Sequence, residues 1–273
     1  MSRILCLGMS ALDAIYRVPA IPATPTKVLA TAFTECGGGM AANASVAVAR
    51  LGGQASYWGR VGTDALGTRI LDQLSAEGVD VAAVRRIAGC VSPSAAILVA
   101  DDGERLVCAY NDPKLDPDAS WLPLDQVPTF DAVLADVRWP AGAAAVLDAA
   151  RAAQKPAVFD GDIGPRDALL DLARRASHVV FSEPGLAHVA GTSAPGDGLA
   201  WIAQSVRGSS ASRWGRKDSS GSTAARSAGC PLQKLPPSTR SRPGMSGTAL
   251  LRWPWPSGAM SRKQRDSPTL RRP

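Results

Sequence analysis

The chain has 273 residues, 45% of them hydrophobic and 20% charged. That is enough apolar material to bury a core, and it excludes wholesale disorder or a fibrous repeat. The formal net charge of +6 suggests an anionic partner, but residues 209–273 hold 13 Lys and Arg against 2 Asp and Glu, leaving 17 against 22 for residues 1–208. The body is mildly acidic and only the tail is basic, so the body carries no electrostatic signal for nucleic acid.

In chain order, Ile4 to Met9 reads as a buried strand closing in a turn. It is too short for an export signal, and nothing approaches the 18 apolar residues of a membrane span. A soluble cytoplasmic protein is therefore expected. Tyr16 to Thr34, rich in Pro and Thr, reads as extended. Ala41 to Leu51 opens after three glycines and stops at Gly52-Gly53, the punctuation of a helix. Ser56–Val61 reads as a strand, Leu66–Ala76 as a helix, and residues 94–110 as two strands around an Asp-Asp-Gly turn. Strands at Ala132–Ala135, Ala157–Phe159 and His178–Phe181 then alternate with helices at Gly142–Ala153 and Arg166–Ala176. Such alternation means βαβ units around a mostly parallel sheet, with ligands at the carboxyl ends of the strands. The five cysteines (Cys6, Cys36, Cys90, Cys108, Cys230) lack metal-ligand spacing and read as buried or half-buried free thiols.

The segment Gly37-Gly38-Gly39-Met40-Ala41-Ala42-Asn43 can bring backbone close to a ligand, and the helix start after it offers N–H groups. With Gly52 and the block Gly59-Arg60-Val61-Gly62-Thr63-Asp64-Ala65-Leu66-Gly67, it resembles the ribokinase-like (PfkB) carbohydrate kinases over most of residues 3–206. Ala135-Asp136-Val137-Arg138-Trp139, Phe159-Asp160-Gly161-Asp162 and Phe181-Ser182-Glu183-Pro184-Gly185-Leu186 resemble that family's sulfofructose kinase branch. The resemblance implies an α/β fold, a three-layer α/β/α core with a mostly parallel sheet and a small β-sheet lid (strands about 15–35 and 94–110), often shared across a homodimer. It implies ATP-dependent phosphorylation of a ketose at a primary hydroxyl, with Asp13 on the sugar hydroxyls and Gly37, Gly38, Gly39 and Asn43 around the sugar. Lys27 and Arg138 match positions that grip a sulfonate. Where that branch has an asparagine stands Ala109, and Asn111, two residues on and expected on the same strand face, is the candidate substitute. Asp160, Asp162 and Glu183 fall where the family handles Mg²⁺ and phosphates, a role suited to hard oxygen ligands. Capping of the following helices is the competing reading for these three carboxylates.

Residues 209–273 read differently: no Val or Ile, 13 Ser, 10 Arg, 8 Pro and no periodicity. The family's Gly-Ala-Gly-Asp turn, which supplies the catalytic base and N–H donors, is absent there, and its expected place is near Met245. Translation in another frame accounts for this. Shifted by one base, Arg242-Pro243-Gly244-Met245-Ser246-Gly247-Thr248 permits Ala-Gly-Asp-Val-Trp-His, and two further stretches, from Ser212 and from Arg265, give family-like peptides in the same offset. The expectation is a sugar-kinase domain at 1–208 missing its C-terminal third, followed by an out-of-frame, disordered and inactive tail. The alternative is a non-catalytic sugar-binding or interaction protein with a basic arm. Against that, the arginines stand singly among Ser and Pro, without the clusters and interleaved aromatics of a nucleic-acid or membrane-surface arm.

Overall fold

Ile4, Leu5, Cys6 and Leu7 form an unbroken apolar run because both faces of their strand are covered. Leu5 and Leu7 enter one core cluster and Cys6 the other, and all three are buried. This strand, β1 (Arg3–Gly8), lies inside a seven-stranded sheet with β4 (Gln54–Gly62), β5 (Val84–Ile87), β8 (Ala132–Asp136), β9 (Ala157–Gly161), β10 (His178–Phe181) and β11 (Ser210–Arg213). The computed structural model describes residues 1–115 and 117–206, and the backbone of 210–213.

The strand order is β11-β10-β9-β8-β1-β4-β5, and every pairing is parallel. The expected mostly parallel sheet is thus wholly parallel among the described residues. Helices α1 (Met40–Arg50) and α2 (Ala65–Ala76) pack one face through Ala41, Val46, Ile70 and Leu74. Helices α3 (Pro140–Ala152), α4 (Arg166–Arg175), α5 (Glu183–Ala190) and α6 (Pro195–Ser205) cover the other through residues such as Leu147, Leu169, Leu186 and Ile202. On the α1 face, Leu134, Val158 and Val180 of β8, β9 and β10 are only half-buried. None of the helices among the described residues is long and apolar enough to cross a membrane.

The strands expected to form a lid make a second, mixed sheet, β3-β2-β6-β7, built from β2 (Ala11–Val18), β3 (Ala32–Gly38), β6 (Ser94–Ala100) and β7 (Arg105–Tyr110). β2 runs antiparallel to β3 and parallel to β6, and β6 and β7 form the expected hairpin, with Gly103 at φ 92° in its turn. The extended reading of Tyr16 to Thr34 needs correction: β2 ends at Val18 and β3 begins at Ala32, with no regular structure at 21–30. Lid and core are joined at Asp64, the N-cap of α2, which accepts from Gly67 N (2.9 Å) and binds Ser92 through both its N–H (2.9 Å) and its hydroxyl (2.6 Å). Ser92 Oγ in turn accepts from Gly62 N at 2.8 Å. The Gly59–Gly67 block therefore anchors the segment that leads into β6. Of the four cysteines described, Cys6 and Cys90 are buried and Cys36 half-buried, but Cys108 is exposed, against expectation, because the whole of β7 is exposed.

Candidate functional site

The site is built around the corner between β1 and β2. Glycine is required at position 8, because a Cβ there would lie 2.2 Å from the Asp136 carboxyl carbon. The Gly8 carbonyl accepts from the buried Tyr57 hydroxyl at 2.7 Å. The next amide, Met9 N, donates to Asp136 Oδ2 at 2.8 Å, and the Met9 carbonyl accepts from Ala42 N at 3.3 Å.

Asp136, at the carboxyl end of β8, is fully buried. It also accepts from Ala41 N (3.2 Å) and Arg138 N (2.8 Å). One carboxylate thus ties together the β1–β2 corner, the start of α1 and the loop after β8. Burial pushes its carboxyl above the ordinary aspartate value, against the opposing pull of the three N–H donors and of Arg138. This changes the expectation for the glycine segment. The first amides of α1 are not an open anion cradle: Ala41 N is held by Asp136 and Ala42 N by Met9 O. Helix α1 has no side-chain cap of its own and starts from Gly39 at φ 96°, where a Cβ would meet Met9 O at 2.3 Å.

Asp13 on β2 stands against Gly38, where a Cβ would lie 2.3 Å from Asp13 Oδ2. The structure thus brings together the aspartate and one of the glycines singled out in the sequence. Burial raises the Asp13 carboxyl to about 6. Gly37 and Gly38 line a void of about 10 Å³ with Asn43 and Gln73, room for one water centre. Asn43 is otherwise exposed on α1.

Arg138 follows Asp136 by two residues, one-third exposed, with Nη2 3.2 Å from Asp162 Oδ2. Asp162 Oδ1 accepts from Ser182 Oγ at 2.7 Å, and Ser182 caps α5 by accepting from Gly185 N at 3.1 Å. Asp160 lies directly across from Asp136 in the β8–β9 register. Burial, then the charges of Asp136 and Asp162, raise its carboxyl to about 7. Glu183 is exposed in the first turn of α5. No three acidic, His or Cys side chains among the described residues converge to hold a metal ion. Both Asp162 oxygens already have partners, so Asp160, Asp162 and Glu183 do not form a ready Mg²⁺ cage. Asp162 caps no helix itself: α4 after it has no side-chain cap, and α5 is capped by Ser182, which Asp162 holds.

Two sulfonate candidates lie outside the regular strands. Lys27 is exposed in the irregular connection between β2 and β3. Asn111 does not share a strand face with Ala109: β7 ends at Tyr110, and the chain turns there because Asp112 accepts from Val91 N (2.8 Å) and Lys114 N (2.9 Å). The catalytic turn expected near Met245 lies outside the described residues. Asp136 is the site residue that the sequence reading did not single out. Its signal was an acidic residue closing a strand whose other residues are Ala, Val, Leu and Ala.

The family model for the pfkB family carbohydrate kinases matches residues 1–209. The chain belongs to the pfkB family of carbohydrate kinases. Within it, this pfkB-family chain is 33% identical over 135 residues to the ribokinase of Bacillus subtilis (strain 168), covering 49% of this chain and 46% of that protein. It is 39% identical over 87 residues to fructokinase-1 of Oryza sativa subsp. japonica, covering 32% of this chain and 27% of the other. The chain therefore spans less than half the length of these two relatives. A crystal structure of a protein assigned as a ribokinase from Agrobacterium tumefaciens superposes with a TM-score of 0.75 at 38% identity, covering 78% of this chain and 69% of that one.

Proposed function

We propose that residues 1–208 are the sugar-binding part of an ATP-dependent kinase acting on a primary hydroxyl of a ketose, 6-deoxy-6-sulfofructose being the favoured substrate. The observation that carries this reading is the half-buried Asp13 carboxylate seated on Gly38 beside the Met9–Asp136 corner, in a pfkB-family fold. There Asp13 accepts hydrogen bonds from sugar hydroxyls, and the lid strand β2 that carries it excludes water. Arg138 has donors left after its contact with Asp162, and a planar guanidinium suits a tetrahedral anion. Lys27 adds a point charge from the lid. ATP supplies the transferred phosphoryl group. Mg²⁺ completes the proposal, but the described residues offer no ligand set for it, and no step is assigned to it.

The chain as written is read as inactive, because the base and N–H donors of the catalytic turn are replaced by residues 209–273. The test is to resequence the gene between codons 206 and 212 and to compare this chain with its frame-corrected version. The corrected protein should phosphorylate 6-deoxy-6-sulfofructose with ATP, while this chain is slower by a factor of about 10³ or more, the combined scale of a lost general base and oxyanion donor. An intact frame, together with turnover of the given chain at the rate of an ordinary sugar kinase, would refute the reading.

The lid also supports a proposed homodimer of this cytoplasmic enzyme. Phe33, Tyr16, Leu98 and Leu106 are aligned in one row across all four lid strands. Phe33 is 55% exposed and Leu106 46%, and Tyr16 packs on Phe33 with centroids 5.0 Å apart. Such a stripe matches the mating face of a second lid. In sedimentation velocity the frame-corrected protein should run as a dimer and its Phe33→Glu variant as a monomer. A monomeric parent at 50 micromolar or so, well above the Kd of a stable dimer, would rule the dimer out.

A further inference from the structure

A second cavity lies away from the β1–β2 corner, at the amino-terminal ends of β1, β4 and β8 beside the edge strand β5. It measures about 570 Å³, within the usual range for small-molecule sites. Its apolar floor is formed by the half-buried Trp121 and Pro123, backed by Trp58 and Phe130, which are almost fully buried and meet edge to face with centroids 5.9 Å apart. Its rim is cationic. The Arg3 guanidinium lies 5.2 Å from the Phe130 centroid, and that of Arg85 lies 5.6 Å from the Trp121 centroid.

These walls are set before any ligand arrives. Trp121 stacks on Trp139 (5.6 Å between centroids, 21° between planes), and Arg60 covers the Trp139 ring at 4.3 Å. Trp139 is buried and donates its indole N–H to Pro117 O at 3.0 Å. The opposing charge in the cavity, Asp80, is already engaged by Ser56 Oγ (3.1 Å) and by Ala82 N (3.0 Å). Arg85 meets its own carboxylate partner, Asp118, only at 3.6 Å, and about two-fifths of its side chain is exposed. A guanidinium has five N–H donors and a flat face, so it binds an anionic group at its edge and a planar ring on its face.

We propose that this groove binds a small planar anion, a ring of aromatic size bearing a phosphate or carboxylate, with the ring over the apolar floor and the anion on Arg3 and Arg85. The proposal stands on the groove alone and is independent of the sugar-kinase reading. It assigns a ligand site at the end of the sheet opposite the strand ends that carry Asp136 and Asp160.

The test is calorimetric titration of the full chain with 1-naphthyl phosphate, using cyclohexyl phosphate as a control without an aromatic ring and 1-naphthalenemethanol as an uncharged one. The naphthyl ester should bind one to one and at least tenfold more tightly than either control. Arg85→Ala should weaken it about tenfold or more, and Ala82→Tyr, which fills the groove without removing charge, should abolish binding. Both positions are exposed, and circular dichroism with a melting curve confirms that each variant folds. An excess of fructose should leave the titration unchanged. Absence of binding at millimolar probe, equal affinity for cyclohexyl phosphate, or unchanged binding by Ala82→Tyr would each overturn the proposal.

Discussion

Replacing Asp136 by alanine should destabilise the protein by about 3 to 5 kcal/mol, the range for deleting one partner of a buried charged cluster. Three backbone donors, from Met9, Ala41 and Arg138, would be left without an acceptor in a place closed to water. The carboxyl fills the space beside Gly8, where a Cβ would lie 2.2 Å from it, so its removal leaves a cavity at the three donors. Asp136→Asn keeps one acceptor oxygen but turns an amide N–H₂ toward a backbone donor. Its loss should be about half as large, because removing the buried charge compensates in part. Urea unfolding measures both. A midpoint for Asp136→Ala corresponding to less than about 1 kcal/mol of loss would show that the three donors find other partners. The same variant should also loosen the proposed sugar site, since the corner that leads into β2 and the start of α1 share this one acceptor.

Most of the fold was legible because its apolar runs have the lengths and punctuation of strands and helices. β10 was read with its observed bounds, and β1, β4, β8, β9 and α1 to α4 to within one or two residues. What was missed was hidden by local sequence. β5 is Val-Arg-Arg-Ile, an edge strand whose charges discourage further pairing and disguise it as a loop. Helix α6 opens with Pro195-Gly196-Asp197-Gly198, which reads as a turn. It is helical because Leu199 and Ile202 pack into the core and because Gly198 lets the helix approach Leu186, 3.0 Å from where a Cβ would sit. α5 was hidden in the same way by Glu183-Pro184-Gly185, where Pro suits a first turn and Gly185 fits under the Gly161 carbonyl.

The site was legible where it depends on local chemistry and illegible where it depends on long-range contacts. Asp13 and Gly38 stood out by residue type and spacing, and the sheet register brings them together. Asp136 acts on groups 95 and 127 residues away, which no local pattern encodes. Asn111 was misplaced by a single feature: alternation was continued past Tyr110, while Asp112 had already turned the chain.

The pH dependence of sugar binding should run opposite to that of stability, with Asp13 responsible for both. Its carboxyl titrates near 6 in the folded protein against 3.8 for the ordinary value, because burial disfavours the charged form. Between those two values the folded state holds the proton more tightly than the unfolded one. The stability contributed by Asp13 is therefore complete below about pH 4 and is lost as pH rises through 6, amounting to about 2 kcal/mol once residual solvent is allowed for. Sugar hydroxyls are donors and need the ionised acceptor, so affinity should move the other way. Fructose binding by the frame-corrected protein should be constant above about pH 7 and should weaken about tenfold for each unit below 6, as the ionised fraction falls. Asp13→Asn separates this group from Asp160, which titrates higher for its own reasons. The variant should be more stable than the parent at pH 8 and equally stable at pH 4, and it should bind fructose at least tenfold more weakly at pH 8. Were Asp13→Asn to bind fructose with the parent's affinity and pH profile, the sugar acceptor would have to be sought elsewhere on the β1–β2 corner. The two curves are expected to cross because, on the proposed reading, one desolvated carboxylate serves two states: the empty cleft favours its proton, and a bound sugar would favour its charge.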